Sequence, residues 1–430
     1  MQYTLLQWTK AICRKLIYQL SKLTPRSKKK AVFGSYKERF SDNSKYLFKH
    51  WSNTAFVRCI WVSGDLRIVN QLNENGQEAY LRWSLKGIYH ALTAKYYFYN
   101  SYIGDINQWL AGGATKVNLW HGTPMKKIEF DITHGPMAAV FNPQSLSQKI
   151  IQSLHAHQQR ITPDLMLSPS PLVDNLLTSA FKLNGSQLLH CGNPRTDYYR
   201  QQAQPATKNV FPIKQQAPKT PLKSLKQQLH NGQYQQVILY APSWRDSIQG
   251  NPYQVAFDWT ALSKQLQQHN QLFLLRLHPN EAVLAEQFSD LPNIMNISTL
   301  EDVYGLLDNI DLLITDYSSL FIDVMPLNIP VIFYCFDKAH YQQHCRDMYE
   351  YVNSLPEIGP QTSTFTELSS SLIPSNIEAQ IRQYHHNKVV TASLEEHGSE
   401  AELNSYQKVK QLYWQPTRKD AFSALEAWMG

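Results

Sequence analysis

The chain has 430 residues, of which 43% are apolar, and its 41 basic and 34 acidic side chains give a formal net charge of +7. This length exceeds one compact core and fits two domains of about 200 residues. No segment approaches the roughly 20 apolar residues that span a bilayer, and the charges near the start do not fit a secretory signal. We therefore expect neither a membrane-spanning protein nor a secreted one.

The positive charge is concentrated near the N-terminus. Eight basic residues lie between positions 10 and 30, and the first acidic residue is Glu38. Apolar positions recur among them at near-helical spacing over residues 2–24. This pattern is typical of a helix lying on an anionic membrane surface, and a helix packed on the first domain is the alternative. We expect residues 1–30 to form a basic amphipathic helix and a candidate anchor on the cytoplasmic face of the cell membrane.

The cysteines occur singly, in odd number and without CxxC spacing. They are Cys13, Cys59, Cys191, Cys335 and Cys345. Scattered thiols favour a reducing cytoplasmic compartment and argue against a disulfide framework or structural zinc. Two of them have apolar neighbours, so we expect Cys59 and Cys335 to be small buried hydrophobes.

Short apolar runs alternate with longer helical patterns, which predicts an α/β protein with parallel sheets. The first set of runs comprises residues 31–33, 56–62, 96–99, 116–119, 165–167 and 188–190. The second set comprises residues 237–240, 272–277, 311–314 and 331–334. Residues 206–236, rich in Gln, Lys and Pro, are interpreted as a linker. We expect two doubly wound, Rossmann-like domains at 31–205 and 237–395, with C-terminal helices at 396–430 packing back on the first.

His121 directly follows the fourth apolar run, in the sequence WHGTPMKKIEFD. An imidazole at a strand end can act as a general base near neutral pH, and a structural histidine held beneath the loop is the alternative. Gly122 and Thr123 belong to the loop that follows. Lys126 and Lys127 can attract phosphate groups or be ordinary solvated charges. We expect these four residues on the acceptor side of a site or in its loop.

Three arginines and a second histidine also lie near strand ends. Arg195, in GNPRTD, shapes the chain between the two sets of strands or reaches a site. Arg245, in APSWRD, can clamp a phosphate with its guanidinium fork or pair with Asp246 or another local acid. His278, in RLHPN, can donate a hydrogen bond or positive charge to a leaving phosphate, or fix its loop. Arg276 can point into the same crevice or face solvent.

A cluster of hydroxyl and carboxylate residues follows the run at 311–314. Ser318 and Ser319 offer hydroxyls and amides where a helix begins, which suits an anion, and a helix cap without ligand is the alternative. Thr315 adds a third hydroxyl. Asp316 would repel phosphate, so we expect it to orient the loop or to contact ligand hydroxyls. Asp323 can do either, or be a buried cap or ion-pair partner.

Asp-x-Asp pairs are absent from the sequence. A divalent metal that bridges a diphosphate therefore has no obvious ligand pair. We predict a site that uses neither a metal nor another cofactor, whose activity a chelator would leave intact.

Five motifs occur in the order found in a known family: WHGTPMKKIEFD, GNPRTD, LYAPSWRD, RLHPN and ITDYSSLFIDVMPLNIPVIFYCFD. The opening FGSYKERFSDNSKYL and an Arg-plus-Tyr segment at 346–349 extend the similarity over most of the chain. The sequence resembles the CDP-glycerol glycerophosphotransferase family, whose members build teichoic-acid-like polyol phosphate chains.

The resemblance implies a GT-B architecture, with two Rossmann-like domains facing a central cleft and the nucleotide held mainly by the second. It implies transfer of a polyol phosphate from CDP-glycerol or CDP-ribitol to a hydroxyl of a teichoic-acid-like or capsular acceptor, which can be lipid-linked, with release of CMP. His121 and His278 would be catalytic. The donor and its phosphates would be bound by Ser318, Ser319, Thr315, Asp316, Arg245, Arg276 and Asp323. The acceptor or its loop would involve Gly122, Thr123, Lys126, Lys127 and Arg195.

Other functions stay open at this point. A GT-B glycosyltransferase that uses a nucleotide sugar would share the fold but attack carbon instead of phosphorus. A non-enzymatic protein that binds membranes or acidic polymers would account for the basic N-terminus alone. Nucleic-acid binding is disfavoured, because the basic residues cluster in one terminal helix without a nucleic-acid motif. The motifs do not distinguish glycerol from ribitol or a primase from a polymerase, and they leave the oligomeric state open.

Overall fold

The computed structural model describes residues 3–135, 137–203, 221–230, 232–245, 250–344, 347–385 and 403–430. The chain divides into two units. Unit 1 comprises Met1–Tyr198 and Trp414–Gly430, and unit 2 comprises Tyr199–Tyr413.

The described residues form parallel strands in each unit. They are β1 (Ser27–Phe33), β2 (Arg58–Ser63), β3 (Ala79–Leu81), β4 (Ala94–Tyr99), β5 (Thr115–Asn118), β6 (Leu165–Ser168), β7 (Leu188–His190), β8 (Gln236–Tyr240), β9 (Gln271–Leu275), β10 (Ile294–Asn296), β11 (Leu312–Thr315), β12 (Val331–Tyr334) and β13 (Gln361–Thr362).

Helices connect and cover these strands. They are α1 (Leu5–Leu20), α2 (Asp42–Thr54), α3 (Leu66–Glu74), α4 (Leu85–Thr93), α5 (Ala138–Phe141), α6 (Leu146–His155), α7 (Pro171–Phe181), α8 (Pro194–Ala203), α9 (Pro221–His230), α10 (Pro252–Ala256), α11 (Trp259–Gln268), α12 (Leu320–Val324), α13 (Lys338–His344), α14 (Phe365–Ser371), α15 (Pro374–His385), α16 (Ser405–Tyr413) and α17 (Ala421–Met429).

The sheet of unit 1 has the strand order β3-β2-β1-β4-β5-β6-β7, with parallel pairing throughout. Successive side chains of a strand point to opposite faces, so strands covered on both sides are apolar at every position. Phe33 and Phe98 pack on one face, whereas their neighbours Val32 and Tyr97 pack on the other. This double burial explains why these strands appear in the sequence as continuous apolar runs.

The sheet of unit 2 has the order β10-β9-β8-β11-β12-β13 and is also parallel. In both sheets the first strand along the chain lies inside the sheet, and the strand order reverses beside it. These switch points lie between β1 and β4 in unit 1 and between β8 and β11 in unit 2. Doubly wound sheets bind their ligands at the carboxyl ends of the strands that flank such a point.

The N-terminal helix α1 begins with a capping box. The Thr4 hydroxyl accepts the Gln7 backbone N–H at 3.3 Å, and Gln7 Oε1 accepts the Thr4 N–H at 2.9 Å. Ala11 and Tyr18 are buried against unit 1, whereas most of the other apolar positions of the helix are exposed. The helix expected at residues 1–30 is therefore shorter than predicted: it spans Leu5–Leu20, and residues 27–30 belong to β1. It both packs on its domain and presents an apolar face to solvent.

The C-terminal helices differ from the expectation for 396–430, of which residues 396–402 lie outside the described chain. Helix α17 packs in unit 1, where Trp51 Nε1 donates to Glu426 Oε1 at 2.9 Å. Helix α16 belongs to unit 2 instead, because its buried Tyr406 donates to the Ile329 carbonyl oxygen at 2.9 Å. The expectation is wrong for α16.

The expected linker at 206–236 is also shorter than the sequence pattern indicates. Its residues 206–220 lie outside the described residues. Residues 221–230 already belong to unit 2, because α9 buries Leu225 and its Lys226 pairs with Asp308 at 2.9 Å. Among the helices that the structure describes, none has the length and apolarity needed to cross a membrane.

Candidate active site

In unit 1 the loops at the switch point are joined by the fully buried side chain of Asn100, directly after β4. Asn100 Nδ2 donates to Ser35 Oγ, after β1, at 2.9 Å. Its Oδ1 accepts both the backbone N–H and the hydroxyl of Ser44, in α2, at 3.0 Å. One amide thereby fixes three segments around the carboxyl ends of β1 and β4.

His121 lies in the loop after β5, and its ring is exposed. Its Nδ1 is 2.9 Å from the carbonyl oxygen of Asn100. A carbonyl oxygen can only accept, so Nδ1 must carry the hydrogen. In the neutral ring the lone pair is then on Nε2, which is the form that a general base requires.

Arg195 has a fully buried side chain that holds the His121 loop. Its Nη1 donates to Asp42 Oδ1 at 2.7 Å and to the His121 carbonyl oxygen at 3.1 Å. The sequence left two roles open for Arg195, shaping the chain or reaching a site. The structure supports the first of these roles. The guanidinium stabilises the loop from inside the protein, and it is not displayed toward a ligand.

The other candidates from this motif lie in the same loop. Gly122 has a backbone φ of 152°, a conformation that favours glycine. Thr123 is buried, which suits a role in loop structure, whereas Lys126 and Lys127 are half-buried. Attraction of acceptor phosphates by the two lysines stays a prediction.

A buried carboxyl group, Asp105, lies behind this arrangement. Its Oδ2 accepts the backbone N–H of Ser101 at 2.8 Å and that of Asn100 at 3.1 Å. Burial raises the pKa of Asp105 to about 7, although these two hydrogen bonds oppose the shift. The residue whose carbonyl group holds His121 is thus anchored on an acid that titrates near neutral pH.

We expect Asp105 to make the protein less stable as pH rises from about 4 to about 7. The native state keeps a proton there that the unfolded chain releases near its ordinary pKa of 3.8. The stabilising contribution is complete below the lower pKa and is lost as pH rises through the upper one. In Asp105→Asn this part of the pH dependence should vanish, since the amide oxygen can still accept both N–H groups. Urea unfolding of both proteins across this range measures the effect, and parallel pH profiles would contradict it.

In unit 2, Arg245 follows β8 and has a side chain that is only 1% exposed. Its Nε and Nη2 form a two-pronged pair with Asp337 at 2.9 and 3.0 Å, and its Nη1 donates to Asp316 and to the Ser243 carbonyl oxygen. Burial alone would lower the pKa of Arg245, but the two carboxylates raise it.

All three guanidinium nitrogens of Arg245 are therefore engaged inside the protein. Of the two roles expected for this guanidinium, the structure shows the pairing with acids and does not show a fork that is open to a phosphate. Asp246, the partner suggested by the sequence, lies outside the described residues. Arg245 holds together the loops that follow β8, β11 and β12, through Asp316 and Asp337.

Asp316 and Thr315 join the same loops. Asp316 Oδ1 accepts the backbone N–H of Ser243 at 2.8 Å and that of Tyr317 at 2.6 Å. Thr315 donates its hydroxyl to the Ala241 carbonyl oxygen at 2.8 Å. Both side chains are buried. Asp316 therefore orients its loop, one of the two roles expected. The Thr315 hydroxyl donates within the protein, and a role of Thr315 in binding the donor stays a prediction.

The serine pair after them is half-buried and nearer to solvent. Ser318 Oγ accepts the Leu320 N–H at 3.3 Å, and Ser319 caps α12 without a side-chain hydrogen bond to it. Helix α12 has only five residues and continues into a 3-10 turn that contains Pro326. A strong helix dipole is therefore not available, and the hydroxyls and loop amides are the groups that can meet a phosphate.

Asp323 lies in α12 and is 2% exposed. Its Oδ2 accepts the hydroxyl of Tyr304 at 2.9 Å, and its carbonyl oxygen accepts that of Tyr199. Asp323 therefore has the buried hydrogen-bonding role, one of the alternatives expected, and contact with ligand hydroxyls stays a prediction.

His278 lies after β9, near the same sheet edge, and is half-buried. Its Nδ1 is 3.3 Å from the backbone nitrogen of Asn280 and accepts that N–H, so the hydrogen of the neutral ring is on Nε2. The indole of Trp244 stacks on the ring, with centroids 5.1 Å apart. In the neutral rings, Nε2 is thus a hydrogen-bond donor in His278, whereas it is an acceptor in His121. Arg276, two residues earlier, is half-buried, and its role stays a prediction.

Several residues of these networks did not come from the sequence interpretation. Asn100 directly follows β4, and Asp337 lies three residues after β12. Both could have been found by the signal that identified the other candidates, a polar residue just after a buried strand. Glu281 accepts the Arg245 backbone N–H at 3.2 Å and the Tyr253 hydroxyl at 3.0 Å, and burial raises its pKa. Asn43 lies in the first turn of α2, where no strand end indicates it.

Groups of three or more His, Cys, Asp or Glu side chains suited to a metal do not occur among the residues that the structure describes. A metal-independent site stays a prediction.

Comparisons with known proteins identify a family model and several relatives that match most of the chain. The family model described as CDP-Glycerol:Poly(glycerophosphate) glycerophosphotransferase matches residues 16–399. The teichoic acid glycerol-phosphate transferase of Staphylococcus aureus is 28% identical over 343 residues, which are 78% of this chain and 80% of that protein. The teichoic acid poly(glycerol phosphate) polymerase of Bacillus spizizenii is 28% identical over 347 residues, 78% of this chain and 80% of that protein.

Among solved structures, the wall teichoic acid polymerase TagF aligns with a TM-score of 0.72 at 20% identity, over 100% of this chain and 98% of the solved chain. This likeness shows a shared fold. The family match covers most of the chain, which therefore belongs to the CDP-glycerol:poly(glycerophosphate) glycerophosphotransferase family. It is an enzyme of the glycerophosphotransferase type.

Proposed function

We propose that the protein transfers glycerol phosphate from CDP-glycerol to a hydroxyl of a growing teichoic-acid-like polymer and releases CMP. Family membership supports the reaction class. The mechanism is supported by two histidines that follow strand ends and have opposite neutral tautomers. His121 offers a lone pair on Nε2, and His278 offers a hydrogen on Nε2.

The transfer forms one bond and breaks one. The acceptor oxygen bonds to the phosphorus that carries glycerol, and the bond from that phosphorus to the bridging oxygen breaks, so CMP leaves with the bridging oxygen. The acceptor proton moves to His121 Nε2. A positioned base of this kind contributes about 10²–10⁴-fold to a rate.

On the donor side, His278 would donate its Nε2–H to the phosphate that leaves with CMP. The hydroxyls of Ser318 and Ser319 and the neighbouring amides would take the remaining phosphate oxygens. Arg245, Asp316 and Asp337 would act indirectly, because they hold the loops that carry these groups. Helix α12 is short, so hydrogen bonds, more than a helix dipole, offset the charge of the donor.

A GT-B architecture, with both sheets presenting their carboxyl ends to one cleft, is part of this proposal. Its support is the doubly wound strand order of both units and the fold likeness to TagF. The site would use no metal, since hydroxyls, amides and a histidine provide the donors. Activity that a chelator abolishes and magnesium restores would contradict that part.

The polyol and the acceptor are finer points of the proposal. Glycerol is favoured because both relatives compared above are glycerol-phosphate enzymes. A ribitol-phosphate primase of Bacillus spizizenii is also a relative, at 26% identity. CDP-ribitol is therefore the competing donor, and a capsular or lipid-linked chain is a competing acceptor.

We also propose that α1 binds an anionic membrane surface. Its exposed apolar side chains include Leu16 and Leu20, at 58% and 63% exposure. The surrounding charge is entirely positive up to Glu38, which suits anionic headgroups. The enzyme would then work on the cytoplasmic face of the membrane, beside a lipid-linked acceptor.

We expect the double variant Leu16→Asp, Leu20→Asp to bind vesicles that contain phosphatidylglycerol at least about tenfold more weakly, because each leucine buried in the interface contributes about 1.5–3 kcal/mol. Co-sedimentation with vesicles measures the change. Val255→Asp in unit 2 is the matched control, since Val255 is also an exposed apolar residue. Equal binding of all three proteins would contradict the membrane role.

A donor screen tests the proposed function. CDP-glycerol, CDP-ribitol and a UDP-sugar are each supplied with a glycerol phosphate oligomer, and nucleotide release is followed. We expect turnover with CDP-glycerol that depends on the acceptor. Turnover of the UDP-sugar alone would replace the proposal with a nucleotide-sugar transferase.

A further inference from the structure

Three consecutive carbonyl groups that lead into the active-site histidine are each held by a buried side chain. Asn43 Nδ2 donates to the carbonyl oxygens of Leu119 and Trp120, at 3.2 and 2.9 Å. Arg195 Nη1 donates to that of His121 at 3.1 Å. These three hydrogen bonds fix successive peptide groups of a segment that lies outside any helix or strand.

The held segment contains a strained residue. Trp120 has a φ of 51°, the left-handed conformation that a bulky side chain rarely adopts and that costs about 1–2 kcal/mol. Its own N–H donates to Asn118 Oδ1 at 2.9 Å. If Trp120 relaxed to an ordinary conformation, the next residue would swing away, and His121 Nδ1 would leave the carbonyl group of Asn100.

Asn43 is itself rigidly placed. It is fully buried, and its Oδ1 accepts the backbone N–H of Arg195 at 3.0 Å. Its backbone N–H donates to Asp42 Oδ1 at 2.7 Å, the same atom that pairs with the Arg195 guanidinium. An amide is needed at this position, because only an amide accepts on one side and donates twice on the other.

We infer that Asn43 is a positioning residue for the phosphoryl transfer. Its amide keeps Trp120 left-handed, and this fixes the tautomer of His121 and the direction of Nε2. The inference rests on the proposed function for its catalytic consequence, but the effect on the His121 ring is independent of it. A misplacement of about 1 Å can cost about 100-fold in rate.

The test replaces the donor and keeps the shape, in Asn43→Asp. We expect kcat for acceptor-dependent CMP release to fall by about 100-fold, with KM for CDP-glycerol unchanged. In the His121→Ala background the same substitution should cause no further loss, because Asn43 acts through His121. Asn107→Asp is the matched control: Asn107 is also buried in unit 1, and its Oδ1 accepts the Trp109 N–H at 3.0 Å.

A second readout keeps the inference testable if Asn43→Asp is unstable or if the enzyme acts on another substrate. Asn43→Ala is the second variant, and the ring nitrogens of ¹⁵N-labelled histidine report the tautomer, with the His121 signals assigned by their absence in His121→Ala. We expect Nδ1–H in the native protein and a mixed population in both Asn43 variants. Unchanged His121 signals, or equal losses in the native and His121→Ala backgrounds, would overturn the inference. Altered signals together with an active His121→Ala enzyme would instead overturn the proposed base and leave the positioning role intact.

Discussion

Replacing His121 by alanine is expected to lower acceptor-dependent CMP release by about 10²–10⁴-fold, the usual contribution of a positioned base. The KM for CDP-glycerol should change little, because the proposed donor groups belong to unit 2. Stability should also change little, since the ring is exposed and makes one hydrogen bond, to the carbonyl oxygen of Asn100. Steady-state kinetics with saturating acceptor measures the effect.

His190→Ala is the matched control for this experiment. His190 ends β7 in the same unit, and its side chain is 57% exposed, beside Asp174. We expect it to retain full activity. Equal activity of the two variants would remove His121 from the chemistry, whereas loss of folding in His121→Ala would make its role structural.

Replacing Arg245 by alanine is expected to destabilise unit 2 by about 3–5 kcal/mol, because two buried carboxylates would lose their cation. Asp316 and Asp337 have side chains that are 0% and 9% exposed, so water cannot readily replace the guanidinium. The loops after β8, β11 and β12 would separate, and affinity for CDP-glycerol should fall as well. Urea unfolding and equilibrium binding of the donor measure the two effects.

Arg382→Ala provides the comparison within unit 2. Arg382 pairs with Glu378 at 3.8 Å, with both side chains at least 65% exposed, and such a surface pair contributes less than about 1 kcal/mol. If Arg245→Ala is no more destabilising than Arg382→Ala, the buried ion pairs do not hold the site together. If stability falls while donor affinity is kept, the network supports the fold but not the donor loops.

The central strands of both sheets could be predicted from the sequence, and three of the four edge strands could not. All ten predicted runs correspond to strands, although β1 begins at Ser27, four residues early, because exposed lysines occupy its start. The strands that were missed are β3, β10 and β13, each of two or three residues and each at the edge of its sheet. A strand buried on both faces forms a continuous apolar run, whereas an edge strand need not. The fourth edge strand, β7, was predicted because Leu188 and Leu189 are both apolar.

The candidate site could be predicted from the sequence where its residues follow strand ends. His121 and His278 each follow a buried strand, and that position alone placed them at a sheet edge. Their tautomers could not be predicted, because these depend on the Asn100 carbonyl oxygen in one case and the Asn280 N–H in the other.

Arg245 shows why the remaining assignments needed the structure. Its partners Asp316 and Asp337 are 71 and 92 residues away along the chain, so the sequence offered Asp246 as the nearest acid. Asn43 was missed for a related reason, since the carbonyl groups that it binds are 76 and 77 residues away. Polar contacts between distant loops follow from the doubly wound topology, not from any local pattern.

The identity of the released nucleotide distinguishes attack at phosphorus from attack at carbon. CDP-glycerol and a glycerol phosphate acceptor are incubated with the protein, and the nucleotide products are separated and quantified. Attack at phosphorus breaks the diphosphate, so we expect CMP in amounts equal to the glycerol phosphate units added to the acceptor. Release of CDP would mean attack at carbon, and it would contradict phosphoryl transfer and the roles assigned to both histidines.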